Sequence, residues 1–431
     1  MASGMNRRTF LKTSAAAGFG VWVSSRANAQ ESKSPAEKLH IAVIGVQGRG
    51  KDNLKGVMKE NIVALCDIDE KNLAGIVKEF KDLDPAQRYA DWRKMLEQKD
   101  IDAVVVATPD HVHAHATIAA MQLGKHVYCE KPLTHSVWEC RKVMEIAKRQ
   151  KVATQMGTQI HAEENYRRVV ELLQAGAIGT VRRIHVWVGG SFAPGDRPTE
   201  TPPVPPNINW DLWIGPAPMR PYHPKYMPFA WRGWWDFGGG KLSDMACHHM
   251  DLSHWAYNLR YPHTIESEGP PVHPESCPKW QIVHFHYAAE GDRPPIQLTW
   301  YHGDKKPPEF AEKNLPKWDD GSLFVGDKGM LLANYGGHKL WPEEDFKDYQ
   351  RPPRTIPKSI GHHNEWIKAC KDGSPTTCNF QYSGALAETV LLGNVAYRSW
   401  KKISWNPQTG TTGDTEADQF LKREYRKGWE L

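Results

Sequence analysis

The stretch from Leu39 to Asp67 limits what this chain can fold into more than any other. Leu39 to Ile44 is a continuous apolar run, Gly45-Val46-Gln47-Gly48-Arg49-Gly50 ends it, and Lys51 to Lys59 follows with helical spacing. The pattern predicts strand, glycine turn and helix. A second apolar run, Ile62 to Cys66, ends in Asp67, 22 residues after Gly45. An acid at that distance suits acceptance of hydrogen bonds from the ribose hydroxyls of a dinucleotide. The glycines would let backbone N–H groups approach a pyrophosphate at the helix N-terminus. Gly45 and Gly50 fit the usual spacing, but Gln47 holds the middle position, and Gly48 is expected to serve the close approach instead. Asp67 would repel a 2′-phosphate and so favours NAD, while Arg49 keeps NADP open.

The β-α-β alternation continues. Asp102 to Ala107 reads as a buried parallel strand, and Thr108-Pro109-Asp110-His111-Val112-His113 stands at its carboxyl end, where open α/β sheets bind ligands. Thr108, Pro109, His111 and His113 are therefore cofactor-side candidates. A helix over 114–123 and a strand over 125–129 follow. The expected domains are a dinucleotide domain over 38–157, a second domain over 158–405 and a tail over 406–431. Val181 to Trp187 alternates as a strand, the proline-rich 202–228 is a long loop expected over the cleft or at a subunit contact, and 360–371 and 384–400 read as late helices. The polar tail is expected to be an arm reaching a neighbouring subunit. His111, His113 and His115 would share a face only on a strand, and no carboxylate or cysteine stands at metal-ligand spacing with them, so no metal site is expected.

Asn6-Arg7-Arg8-Thr9-Phe10-Leu11-Lys12, an apolar run from Thr13 to Val23 and Ala27-Asn28-Ala29 read as a twin-arginine export leader over 1–29, followed by a linker over 30–37. The expected partner is the twin-arginine export machinery, and the expected location is the periplasm, reached after folding in the cytoplasm. Without Arg7, Arg8, Lys12 and Arg26 the formal charge falls from +5 to +1. That near-neutral balance argues against nucleic acid as a partner. The seven cysteines are an odd number with no C-x-x-C pair, which opposes a disulfide framework, although Cys370 and Cys378 could pair.

Glu130-Lys131-Pro132-Leu133 follows the strand over 125–129, and Gly238-Gly239-Gly240 opens a helix carrying Asp244, His248 and Asp251 on one face. With the stretches 41–50, 64–67, 107–113 and 124–133, these motifs resemble the Gfo/Idh/MocA family of glucose-fructose oxidoreductase and inositol dehydrogenase. The resemblance implies an α/β fold, in which an N-terminal Rossmann domain is joined to a C-terminal α+β domain with an open, mainly antiparallel sheet. It implies NAD-dependent hydride transfer at a carbinol carbon of a sugar or polyol, in a homodimer or homotetramer. Lys131 would then sit beside the substrate hydroxyl and His248 would shuttle its proton. Asp244 would orient substrate or imidazole, and Glu130 would bond the ribose or brace Lys131.

Of the 18 tryptophans many fall between Trp187 and Trp300, and Trp231 and Arg232 adjoin the His248 helix, a setting suited to the apolar faces and hydroxyls of a carbohydrate. His161, Tyr166 and His249 are further substrate-side candidates. Two other functions share these residues. One is an NAD-using glycoside hydrolase working by transient oxidation, elimination and re-reduction, with Tyr166 or His161 as an extra base. The other is a non-catalytic carbohydrate-binding protein. An exported nicotinamide enzyme has little access to a replenished NAD pool, so the cofactor is expected to be loaded before export and held tightly.

Overall fold

The structure is a computed structural model and describes residues 37–431. The leader and most of the linker therefore lie outside the described residues. The first sheet is parallel, in the order β3-β2-β1-β4-β5-β6. Its strands are β1 His40–Ile44, β2 Asn61–Cys66, β3 Gln87–Tyr89, β4 Ala103–Val106, β5 His126–Cys129 and β6 Thr154–Met156. Helices α1 (Arg49–Val57), α2 (Glu70–Glu79), α3 (Asp110–Gln122) and α4 (Val137–Gln150) cross between strands. β1 and β4 are buried nearly throughout, as strands covered on both faces must be. Strand order reverses between β1 and β4, which opens a crevice at their carboxyl ends. α4 starts from a capping box in which Ser136 Oγ accepts from the Glu139 N–H and Glu139 accepts from the Ser136 N–H.

The second sheet has eight strands in the order β13-β12-β11-β7-β10-β9-β8-β14. These are β7 Val181–Gly189, β8 Thr264–Glu268, β9 Gln281–Tyr287, β10 Ile296–Gly303, β11 Asp320–Gly326, β12 Gly329–Ala333, β13 His338–Trp341 and β14 Ile403–Ser404. Only β7 and β10 pair in parallel; every other neighbouring pair is antiparallel. β9 alternates strictly, with Val283, Phe285 and Tyr287 buried and the residues between them half-buried. Helices α5 (Glu164–Gln174) and α6 (Gly240–His249) precede β8 in the chain, and α7 (His362–Asp372) and α8 (Phe380–Ser399) follow β13.

The late helices do not respect the sequence boundary at 157. Trp366, Ile367 and Cys370 of α7 join Leu39, Ile41, Val43 and Val105 in one apolar cluster, so α7 covers a face of the first sheet. α8 is buried on almost every side because it lies between the two domains. Gly384 lets it approach α4, since a Cβ there would fall 2.4 Å from Met144 Cγ. All seven cysteines are buried free thiols, Cys370 and Cys378 included.

The tail reading is corrected. Residues 423–429 fold back onto their own chain: Arg423 Nε and Tyr425 Oη both donate to Glu139 Oε1 at 3.0 Å, and Arg426 Nε donates to the Gly215 carbonyl at 3.0 Å. Trp429 is buried beside Trp92 under the Arg93 guanidinium, and its carbonyl accepts from His115 Nε2. The buried carboxylate of Glu139 needs cationic and hydroxyl partners, and the tail supplies them. Trp429→Ala is expected to cost about 3 kcal/mol in urea unfolding, whereas Trp400→Ala, at a position 56% exposed, changes stability little.

Candidate active site

A cleft of about 1290 Å³ opens where the carboxyl ends of β1 and β4 face α6. On the first-domain side Gly45, Gln47, Gly48 and Arg49 line it. Gly50 lies behind them for steric reasons, because a Cβ there would stand 1.9 Å from the Gly45 carbonyl oxygen. Gly48 has φ +55° and no neighbour within 4 Å of a Cβ position, so its surface is open for close approach of a ligand. No side chain caps α1, which leaves its N-terminus suited to a pyrophosphate. Asp67 accepts from the Val46 and Asp69 N–H groups and from Asn72 Nδ2. Burial pushes its carboxyl up and these bonds pull it down. Arg49 lies 3.4 Å from Asp52, so the cation that could have welcomed a 2′-phosphate has an acid partner.

A segment of the second domain straps this end of the cleft. Asn207 O accepts from the Glu70 N–H, the Asn209 N–H donates to Ile68 O, and Asn207 Nδ2 donates to Asp69 Oδ1 at 2.7 Å. The strap thus pairs with the loop that follows Asp67, over the ground where an adenosine ribose would lie. The proline-rich stretch carries it over the cleft, with a short helical turn at Trp210–Ile214 anchored in an aromatic cluster of Trp210, Trp213, Tyr226, Trp231, Trp234 and Phe237.

Lys131 and Asp244 bring the two domains together. The Lys131–Pro132 peptide is cis. Lys131 Nζ donates to Asp244 Oδ1 at 2.8 Å and to the Asp244 carbonyl at 2.6 Å, and Arg232 Nε donates to the same Oδ1 at 3.1 Å. The Arg232 guanidinium is held between the Phe229 and Trp231 rings, 4.4 and 4.3 Å from their centroids. Burial would raise the Asp244 carboxyl, but Lys131 and Arg232 overcome it and hold the group far below the usual carboxylate range. Burial pulls Lys131 down, and the Asp244 charge more than restores it, so the ammonium stays protonated. Asp244 Oδ1 thus holds both Lys131 and Arg232 in place in the cleft wall.

Glu130 stands at the end of β5 with its Oε1 accepting from Asn53 Nδ2 and Gln159 Nε2, both at 2.8 Å, and burial raises its carboxyl. It lines the cleft beside Lys131, as do Thr108, Pro109, Trp231, Arg232 and His248. Burial first, then the Lys131 charge, drives the His248 imidazole well below its ordinary value, so it is uncharged. Its neighbour His249 does not line the cleft; it stacks on Tyr335 at 4.9 Å with both ring nitrogens unpartnered.

Four more candidates are corrected. His111 is buried with Nε2 2.8 Å from the Trp213 carbonyl, and burial lowers it to about 3. The His113 ring lies between the Pro132 and Thr108 carbonyls, at 2.7 and 2.8 Å, and so ties the Lys131 turn to the Thr108 turn instead of touching a ligand. His161 is buried against Asp251 Oδ2 at 2.8 Å and stacked on Trp255. Tyr166 is buried in the core with its ring edge on Tyr335. In all four the ring is buried away from the cleft. Among the cleft residues not singled out in the sequence are Asp110 and Tyr335. Asp110, at the head of α3, adjoins the Thr108-Pro109 signal and was within reach of it; Tyr335 comes from the loop after β12, which no local pattern connects to the cleft. Among the described residues no group of three or more His, Cys, Asp or Glu could hold a metal ion.

Gly50→Ala is expected to abolish binding of NAD, measured by calorimetry, because the turn must open to admit the methyl. Gly48→Ala should leave the fold intact at a cost of about 1 kcal/mol and still weaken NAD binding.

Comparison with known proteins agrees with this geometry. The model described as "Oxidoreductase family, NAD-binding Rossmann fold" matches residues 39–158, and that described as "Oxidoreductase family, C-terminal alpha/beta domain" matches residues 173–306. An inositol 2-dehydrogenase of Serratia proteamaculans is 33% identical over 152 residues, which is 34% of this chain and 44% of that protein. The uncharacterized oxidoreductase YrbE of Bacillus subtilis is 26% identical over 302 residues, covering 69% of this chain and 74% of that one. The match spans less than half the length of the inositol dehydrogenases. The WlbA dehydrogenase of Bordetella pertussis, solved with NADH and UDP-GlcNAcA, shares the fold at 16% identity, with a TM-score of 0.62 over 86% of this chain and 99% of that one. With both of the family's domains matched in order and its glycine turn, Glu-Lys-Pro turn and glycine-led helix converging on one cleft, the chain belongs to the Gfo/Idh/MocA oxidoreductase family and its first domain is the NAD-binding one.

Proposed function

We propose that the chain moves hydride to or from a carbinol carbon of a sugar, polyol or related carbohydrate, using NAD that it holds without exchange. The observation that carries this reading is the Lys131 ammonium, fixed as a cation by Asp244 at the mouth of an NAD-binding turn. The residues fit the cofactor: the Gly45–Gly50 turn suits the pyrophosphate, Asp67 the ribose, and Thr108, Pro109 and Glu130 the nicotinamide half. When bound, NAD supplies a hydride acceptor.

The chain's own residues do the rest. Lys131 steadies the alkoxide that develops as hydride leaves, in a cleft where few charges are screened by water. His248, uncharged, holds the substrate hydroxyl by a hydrogen bond. Trp231 and Phe229 offer apolar faces to a sugar ring, with Arg232 between them to meet its hydroxyls.

The strap over the loop after Asp67 supports retention of NAD, and the twin-arginine leader supports export of a folded, loaded protein. Together they favour a redox-neutral cycle in which hydride returns to the product or to a second substrate. Glycoside cleavage by transient oxidation is such a cycle and is the second reading. Neither Tyr166 nor His161 lines the cleft, so its extra base would come from another residue, with Glu163 a cleft-lining carboxylate that could serve.

The test is to purify the protein without added cofactor and to look for one equivalent of nicotinamide after gel filtration. The protein is then given free sugars, polyols and aryl glycosides. Net NADH from a free sugar supports the dehydrogenase, cleavage without net NADH supports the glycosidase, and a protein that neither carries nor binds NAD contradicts both. Lys131→Ala should lower turnover by about a thousandfold, with NAD content unchanged.

A further inference from the structure

Of the aromatic side chains that line the cleft, Phe229 and Tyr335 are the exposed ones, at 59% and 41%. Phe229 already packs its ring on the Arg232 guanidinium. Tyr335 instead stands beside the histidines of α6. Its ring stacks on His249 at 4.9 Å with 24° between the planes, and lies nearly perpendicular to His248 at 6.1 Å and to Tyr166 at 6.2 Å. One face is thus taken by His249, and the area left open belongs to the other face and the hydroxyl. That hydroxyl makes no hydrogen bond to another described residue. Burial first, then the Asp320 and Asp244 charges, push the phenol up, so it stays a donor.

The ring is delivered by a braced hairpin tip. Residues 334–337 join β12 to β13, and there the Asn334 N–H donates to the Gly337 carbonyl while Asn334 Oδ1 accepts from the Gly336 and Gly337 N–H groups, each at 3.0 Å. Asn165 Nδ2 of α5 donates to the Asn334 carbonyl at 2.7 Å, and His338 Nδ1 lies 2.7 Å from Asn165 Oδ1. A tyrosine fixed in this way offers a wide amphipathic contact and loses little freedom when a ligand covers it.

We infer that Tyr335 is a specificity-determining residue, which lays its open face on the C–H face of a ring-shaped substrate and gives its hydroxyl to one of the ring's oxygens. The inference rests on the oxidoreductase reading above and names the residue that selects a closed ring over an open-chain polyol. A closed ring presents several C–H bonds in one plane, which an aromatic face matches and an open chain does not. An open chain also gives up more torsional freedom on binding. Stacking on Tyr335 fixes the plane of the ring beside His248, and with it the C–H bond that is aimed at the nicotinamide side of the cleft.

The experiment titrates the NAD-loaded protein by calorimetry with methyl hexopyranosides and myo-inositol as rings and with hexitols as open chains. Wild type, Tyr335→Phe and Tyr335→Leu are compared, each checked by circular dichroism and NAD content. Leucine keeps apolar bulk without a flat face, and the exposed position of the tip spares the fold. Wild type is expected to bind at least one ring more tightly than any hexitol. On that ring Tyr335→Leu should lose about tenfold in affinity and Tyr335→Phe about threefold, for the hydroxyl alone. Hexitols should bind weakly and alike to all three proteins. A Tyr335→Leu affinity for the ring within about twofold of wild type, equal losses on rings and hexitols, or a wild type that favours hexitols overturns the inference and leaves the oxidoreductase reading standing. Wild type that carries NAD yet binds no carbohydrate contradicts the carbohydrate reading itself, and the inference with it.

Discussion

The ion pair between Lys131 and Asp244 is the constraint on which the rest of the site depends. Both side chains are largely out of water, and bringing two charges there costs more than a single contact returns unless further donors complete the geometry. Here the Asp244 carbonyl and the Arg232 guanidinium complete it. The pair spans two domains, with Lys131 on the turn after β5 and Asp244 on α6, so it holds only while both sheets keep their relative position. α8, buried between α4 and the second sheet, and the tail on Glu139 keep that position.

The same pair sorts the proton chemistry of the cleft. A cation held by an anion can steady an alkoxide but cannot accept a proton. An imidazole beside that cation in a dry wall stays neutral. The strap of Asn207–Asn209 lies at the other end of the cleft and ties the second domain to the loop after Asp67 by hydrogen bonds.

Much of this was legible in the chain itself, for physical reasons. Strands buried on both faces leave continuous apolar runs, so β1, β2, β4 and β5 could be read directly, and the tight turn needs glycine at Gly45 and Gly50. Lys131, Asp244 and His248 were legible because their motifs are local and their neighbours unusual. His111, His113, His161 and Tyr166 misled because a polar residue near a ligand-binding edge can face either way. Helix packing decides which, and here carbonyls and Asp251 claimed the histidines. Tyr335, the strap and the inward tail depend on contacts between residues more than 80 positions apart, which no periodicity encodes. The return of α7 to the first sheet is of the same kind.

The measurement that bears most directly on this account is a double-mutant cycle at the domain junction, with Lys131→Met, Asp244→Asn and the combined variant unfolded in urea. Interdependence of the pair predicts that each single change costs about 3 kcal/mol and that the double variant costs clearly less than the sum of the two. Penalties that simply add would contradict it.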